Sequence, residues 1–140
     1  MIRKAIATDL EFVKLLIEEL EEQRFDEEVF ATIYNNNLKN SDVYYYVAEV
    51  GGEVVGFMSL FEYFPLHHCH KLAELQELII KEKYRGLNIG QKFIETAQKL
   101  GLEKGWLQIE LSSNMKRLKA HSFYLRNGFG RGHFKFVKRL

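Results

Sequence analysis

The chain has 140 residues, 46% of them apolar and 28% charged, with a formal net charge of +1. A single domain of this length buries on the order of 70% of its unfolded surface, and the composition argues against disorder and low complexity. Near-neutral charge argues against a dedicated nucleic-acid or membrane-surface binder, and no apolar run approaches the roughly 18 residues of a membrane span. The single cysteine, Cys69, has no partner for an internal disulfide, and no leader-like segment is evident, so the expected compartment is the cytoplasm.

Ile2 to Ala7 alternates as a short strand, and Thr8-Asp9-Leu10-Glu11 reads as a capping box opening a helix. Leu10, Val13, Ile17 and Leu20 give that helix an apolar stripe. A more polar helix is expected from Asp26 to Leu38, dissolving in the run Asn35-Asn36-Asn37. Val43 to Val50 and Val54 to Phe64 are rich in β-branched and aromatic residues, and Gly51-Gly52 between them signals a hairpin. Leu72 to Ile80 forms a further strand.

The stretch that follows, Tyr84-Arg85-Gly86-Leu87-Asn88-Ile89-Gly90-Gln91, joins strand to helix. Gly86 and Gly90 allow close backbone approach, Asn88 tolerates a left-handed conformation, and a helix N-terminus offers free N–H groups to an anion such as pyrophosphate. By itself the pattern also fits a turn whose glycines serve geometry alone. The helix carries Ile89, Phe93, Ile94, Ala97 and Leu100 on one face and ends near Gly105. Trp106 to Leu111 is expected as a buried strand, and the strand-helix-strand unit from Leu72 to Leu111 implies a parallel pair with a right-handed crossover. Ser112-Ser113-Asn114 supplies caps for a last helix through about Arg126, and Phe129 to Val137 reads as one or two terminal strands.

Three linked pieces stand in a recognisable order: Leu75-x-x-Leu78-x-Ile80, then Arg85-Gly86-Leu87-Asn88-Ile89-Gly90, then Ala120-His121-x-Phe123-Tyr124-x-x-x-Gly128-Phe129. Over essentially its whole length the chain resembles the GNAT N-acetyltransferase superfamily. Further segments, among them Leu66-His67-His68, Glu74-Leu75-Gln76-Glu77-Leu78, Asn114-x-Lys116-Arg117 and His133-Phe134-Lys135-Phe136, resemble its aminoalkylphosphonate N-acetyltransferases. Asn88 departs from the commoner superfamily glycine and is shared with that branch.

The resemblance implies an α/β fold over residues 1–140 as one domain: a mixed, mostly antiparallel sheet with a central splayed parallel strand pair and flanking helices. It implies that acetyl-CoA is the donor, its pyrophosphate held at Arg85, Gly86, Leu87, Asn88, Ile89, Gly90 and Gln91. The pantetheine arm would lie along Leu78, Ile79 and Ile80, with Asn114 as a hydrogen-bond partner or a helix cap. The acceptor would be a small primary amine, most specifically an aminoalkylphosphonate, with aminoglycosides, polyamines and protein amines as alternatives. A non-catalytic acyl-CoA-binding module is the alternative outside the enzymes.

Tyr124 matches the tyrosine proposed to protonate the departing thiolate, a role suited to a phenol with ordinary pKa about 10; otherwise it is a core aromatic. Arg117, His121 and Tyr124 fall on one helical stripe, and Lys116, Arg117 and His121 are the candidate acceptor-binding residues, the two cations offering charge to a phosphonate. Glu74, eleven residues before Arg85, reads as a general base, a metal ligand or a solvated strand residue. The phosphonate-acetylating relatives are associated with a divalent metal, whose ligands the sequence leaves unknown. His67-His68-Cys69-His70 lacks the separated pairs of a zinc site. Cations alternating with Phe134 and Phe136 suggest a strand with one buried face rather than a nucleic-acid strand. Homodimers are common in the superfamily, and the chain offers no interface signal of its own.

Overall fold

The computed structural model describes residues 1–140 as two compact units, Met1–Glu110 and Leu111–Leu140. The first is built on a sheet of strands β1 (Ile2–Lys4), β2 (Val43–Val50), β3 (Glu53–Tyr63), β4 (Leu72–Ile80) and β5 (Ile109–Leu111), ordered as in the sequence. The first three pairings are antiparallel. β4 and β5 run parallel, their shared stretch opened by Leu107 N–H to Lys71 O at 2.8 Å and Ala73 N–H to Gln108 O at 3.2 Å. Helices α1 (Leu10–Glu21) and α2 (Glu27–Leu38) precede the hairpin, and α3 (Ile89–Lys104) makes the crossover between β4 and β5. The fold is therefore the mixed α/β architecture that the sequence implied.

One sheet face packs against α1 and α2. Val13 and Leu16 of α1, Tyr34 of α2, Val47 of β2, Phe57 of β3 and Ile79 of β4 form its core. Burying side chains of this size contributes roughly 1.5–3 kcal/mol each. Leu10, Ile17 and Leu20 pack against this core as expected, and Leu16 joins Val13 at its centre. The opposite face receives α3, whose Ile89, Phe93, Ile94, Ala97 and Leu100 are all buried as the helical spacing required. Gly56 permits this contact: a Cβ there would lie 3.0 Å from Phe93 Cε2 and 3.1 Å from Ile79 O.

Local caps differ from the expected ones. Thr8 and Glu11 do not form the capping box; Asp9 accepts the Ile6 N–H at 2.9 Å and takes both ends of the Arg3 guanidinium at 2.8 and 2.9 Å. A 3-10 turn, Ala7–Asp9, results ahead of α1. In α2, Asp26 is the cap rather than the first helical residue, its Oδ1 accepting Val29 N–H at 2.9 Å. The asparagine run does not dissolve that helix, because Asn37 Nδ2 donates to Tyr45 Oη at 2.6 Å and α2 continues to Leu38.

The segment from Trp106 is not a six-residue buried strand. Trp106 N–H is drawn to Gly101 O at 2.9 Å and closes α3, its indole donates to Glu62 Oε1 at 2.6 Å, and Leu107 is 51% exposed. Only Ile109–Leu111 is strand.

In the second unit, α4 (Leu118–Arg126) starts later than the Ser-Ser-Asn cap implied. Asn114 Oδ1 accepts Lys116 N–H at 2.9 Å, and this local turn occupies the group that would have capped the helix. Residues 129–137 form no strand, and Phe134 and Phe136 are 84% and 92% exposed, so the buried face expected from their alternation is not formed. Gly128, Gly130 and Gly132 loosen the start of this segment, and alternation without a paired neighbour does not hold a strand.

Candidate active site

β4 ends at Ile80, and a 3-10 turn, Glu82–Tyr84, leads into Arg85. Glu53 of the β2–β3 hairpin holds this connection from one side: it accepts Lys81 Nζ at 2.6 Å and the Tyr84 hydroxyl at 2.8 Å. Those bonds hold the Glu53 carboxyl below the usual carboxylate range. Arg85 holds it from another side, donating from Nε to Ile80 O at 2.9 Å and from a terminal nitrogen to Glu19 Oε1 at 3.1 Å. Its guanidinium thus braces the turn against β4 and α1.

Between these braces the backbone turns left-handed twice, at Gly86 (φ +79°) and Asn88 (φ 62°, ψ 15°), before Ile89 begins α3. Asn88 adopts this conformation as the sequence anticipated. Its side chain caps nothing, and the first helical bond is Lys92 N–H to Asn88 O at 3.1 Å. The N–H groups of Leu87, Ile89, Gly90 and Gln91 therefore have no acceptor in the protein. A row of unpaired donors at the positive end of a sixteen-residue helix, approached by a backbone without side-chain obstruction at Gly86, fits a pyrophosphate.

β4 supplies the neighbouring surface. Leu78 and Ile79 are buried at 8% and 5% exposure and Ile80 is half-buried. β5 ends at Leu111 after three residues, so the nine-residue β4 runs on past its parallel partner. The pairing of β3 with β4 carries a bulge: Ser59 faces Glu77, Leu60 faces Leu75, and Gln76 is the extra residue. In a regular strand Glu74 and Glu77 would point to opposite faces. The inserted residue puts both on the face covered by α1 and α2, opposite Phe61 and Ser59 respectively.

Glu77 is half-buried, and the fully buried Ser59 hydroxyl donates to its Oε1 at 2.6 Å while accepting the Glu77 N–H at 3.1 Å. Burial pushes the Glu77 carboxyl up, the Ser59 bond pulls it down, and the negative charges of Glu21 and Glu74 push it up further; the net direction is upward. Glu77 was not singled out by spacing, because nothing in the sequence announces the bulge. Glu74 makes no side-chain hydrogen bond or ion pair within the protein and is half-exposed to the same face.

In the second unit Tyr124 is buried at 8% exposure and packs edge-on to Phe123 and Phe129, ring centroids 5.4 and 5.7 Å away. Burial raises its phenol, the Arg117 charge offsetting part of the effect, so the hydroxyl stays protonated well above neutrality. That hydroxyl has no hydrogen-bond partner within the chain. His121 Nε2 lies 2.8 Å from Asn114 O, tying the start of α4 to the preceding turn. Lys116 and Arg117 are exposed beside it. Ser113 Oγ is buried without a partner, a hydrogen-bonding group that the sequence had offered only as a cap.

The histidine run converges on nothing. The His67 and His68 rings meet tilted, with centroids 4.3 Å apart, His68 Nε2 is 4.0 Å from Glu110 Oε2, and His70 turns to Lys71 O at 3.0 Å. No group of three or more His, Cys, Asp or Glu side chains is placed to hold a metal ion. No helix is long and apolar enough to cross a membrane.

A parallel strand pair joined through an anion-receptive turn and crossover helix places the chain among α/β proteins built to hold an anionic ligand at a helix start. Residues 10–129 match the Acetyltransferase (GNAT) family, and the chain belongs to that family of enzymes. It is 39% identical over 139 residues to the aminoalkylphosphonate N-acetyltransferase of Salmonella typhimurium, covering 99% of this chain and 90% of that protein. Among solved structures, a transcriptional regulator from Bacillus halodurans superposes with TM-score 0.92 at 22% identity, over 100% of this chain and 99% of that one. An aminoglycoside N-acetyltransferase in complex with CoA superposes with TM-score 0.89 at 16% identity, over 100% and 93%.

Proposed function

We propose that the chain transfers the acetyl group of acetyl-CoA directly to the nitrogen of a small primary amine carrying a phosphonate. The observation that carries this reading is the 39% identity, over 99% of the chain, to an aminoalkylphosphonate N-acetyltransferase. The turn supports the choice of donor: the unpaired N–H groups of Leu87, Ile89, Gly90 and Gln91 suit the pyrophosphate. Bound there, acetyl-CoA supplies an activated thioester.

The chain's own residues supply the remaining chemistry. Leu78, Ile79 and Ile80 line the part of β4 that outruns β5 and would hold the pantetheine arm. The family resemblance implies a hydrogen bond to it from Asn114. A carboxylate on the α1 and α2 side of β4 takes up the proton that the acceptor's ammonium must lose before attack; the family resemblance implies Glu74 for this role, and the bulge sets Glu77 on the same face as a second carboxylate. Tyr124 protonates the leaving thiolate, for which its raised phenol is the correct, protonated form at neutral pH. Lys116, Arg117 and His121 would meet the phosphonate, the guanidinium fork matching two of its oxygens. Glu74 would be among the residues holding a divalent ion, which would supply charge neutralisation.

The test is thiol-release kinetics with aminoalkylphosphonates, their carboxylate counterparts, polyamines and aminoglycosides, with and without divalent metal. Turnover of phosphonates above the other classes is the expected result. Turnover of another amine alone would sink the acceptor assignment while leaving the donor intact.

A further inference from the structure

The bulge in β4 brings two carboxylates to one face, and the chemistry needs one proton acceptor. Resting on the reading above, we propose that Glu77, oriented by the buried Ser59 hydroxyl, is the group that accepts the proton of the acceptor's ammonium. Glu74 holds the ammonium by charge alongside it.

The geometry separates the two residues. Glu77 Oε1 is fixed by Ser59 Oγ at 2.6 Å, and that hydroxyl is itself locked by the Glu77 N–H at 3.1 Å, so the half-buried carboxyl is oriented against a fully buried hydroxyl. Its second oxygen has no partner in the protein and is the one left for a ligand. Glu74 has no such support. A base must be held in place before it is useful, and the Ser59 bond gives that hold to Glu77 and not to Glu74.

The groups facing Glu77 come from four elements: Glu21 at the end of α1, Tyr45 on β2, Ser59 on β3 and Glu74 on β4 itself. Two of these are negative and none is cationic. These surroundings favour a cationic acceptor, and burial together with the two negative charges raises the proton affinity of the carboxyl.

Proton and electron accounting closes. Glu77 takes one proton from the ammonium, and the freed lone pair forms the C–N bond at the acetyl carbonyl as the C–S bond breaks. Tyr124 gives its proton to the sulfur and regains one from the amide nitrogen; Glu77 returns its proton to water.

The experiment compares E77Q, E74Q and S59A with wild type in pH profiles of kcat/KM, using whichever amine of the panel the wild type turns over best. Expected for E77Q is loss of the acidic limb and a fall in kcat of about 10²–10³ with coenzyme Kd within twofold. E74Q retains the limb and raises KM for the amine. S59A lowers kcat, because the base loses the bond that orients it, and moves the remaining limb to higher pH, because that bond also pulled the carboxyl down.

A readout without turnover accompanies these. A carboxyl whose folded pKa is raised contributes most below its unfolded pKa, and that contribution is lost as pH rises through the folded value. E77Q should therefore gain thermal stability relative to wild type at neutral pH, and the gain should vanish near pH 4. Retention of the limb by E77Q with turnover within threefold of wild type overturns the assignment, as does disappearance of the limb in E74Q alone. Turnover restricted to amines without a phosphonate removes the acceptor reading and leaves this assignment to be scored on those amines. Absence of thiol release from every amine removes both.

Discussion

Substitution of Asn88 separates what the turn's backbone does from what its side chain does. Asn88 sits at φ 62° with no capping bond, so its side chain contributes conformation only. Left-handed backbone costs an ordinary L-residue roughly 1–2 kcal/mol, asparagine lying near the low end and glycine outside the penalty. N88G removes the strain but frees the unfolded chain, two effects of about 0.5–1 kcal/mol that nearly cancel. N88A should cost about 1 kcal/mol, which for a domain of this size lowers Tm by about 4 °C, and N88V about 2 kcal/mol. Coenzyme binding should follow a different order. If the donors are main-chain N–H groups, N88G binds CoA within twofold of wild type in calorimetric titration. N88V, unable to hold the turn, forfeits one or more charge-assisted bonds of about 1.5–3 kcal/mol and loses about tenfold or more. A tenfold loss in N88G with unchanged Tm would show that the side chain holds the ligand, and wild-type affinity in N88V would show that the turn is not the site.

Y124F should lower kcat by about 10²-fold with coenzyme Kd within twofold, since it removes only a proton donor; unchanged kcat across the pH range would dismiss Tyr124 as the acid. G56A should cost about 1–3 kcal/mol in urea unfolding, because the added methyl meets Phe93 Cε2 at 3.0 Å and the immovable Ile79 carbonyl at 3.1 Å. Stability within 0.5 kcal/mol (about the size of a surface effect) would mean that α3 is loosely packed on that face. The Arg3 guanidinium and the Ile6 N–H hold the Asp9 carboxyl below the usual carboxylate range. Its contribution is therefore present above about pH 4, the unfolded value, and lost as pH falls through the folded one. D9N should flatten the acid side of the stability curve while costing stability at neutral pH, and a curve parallel to wild type would refute the pairing.

The elements with strong periodicity were legible from sequence: β2, β3, β4 and α3 all lie within a residue or two of their expected bounds, because apolar spacing and Gly51-Gly52 leave few alternatives. So was the left-handed Asn88, a matter of local sterics. What failed depended on bonds that periodicity and local motifs do not specify. Asp9 abandoned the local capping pattern for Arg3, Trp106 was captured by Gly101 and Glu62, and Phe129 to Val137 found no neighbouring strand to make its alternation count. The candidate site divides the same way. Its anion-receptive turn follows from glycines and a helix start, whereas the shared face of Glu74 and Glu77 comes from a one-residue bulge against β3 that strand period alone would deny.

The most direct measurement of the acceptor is the kcat/KM of an aminoalkylphosphonate against that of the amino acid bearing a carboxylate in its place, with the acetylated product identified by phosphorus NMR. Recognition of the phosphonate by Lys116 and Arg117 predicts a preference of about tenfold or more, worth about 1.4 kcal/mol, that collapses when both are changed to alanine. Equal kcat/KM for the two acids, or an undiminished preference in the double variant, would contradict it.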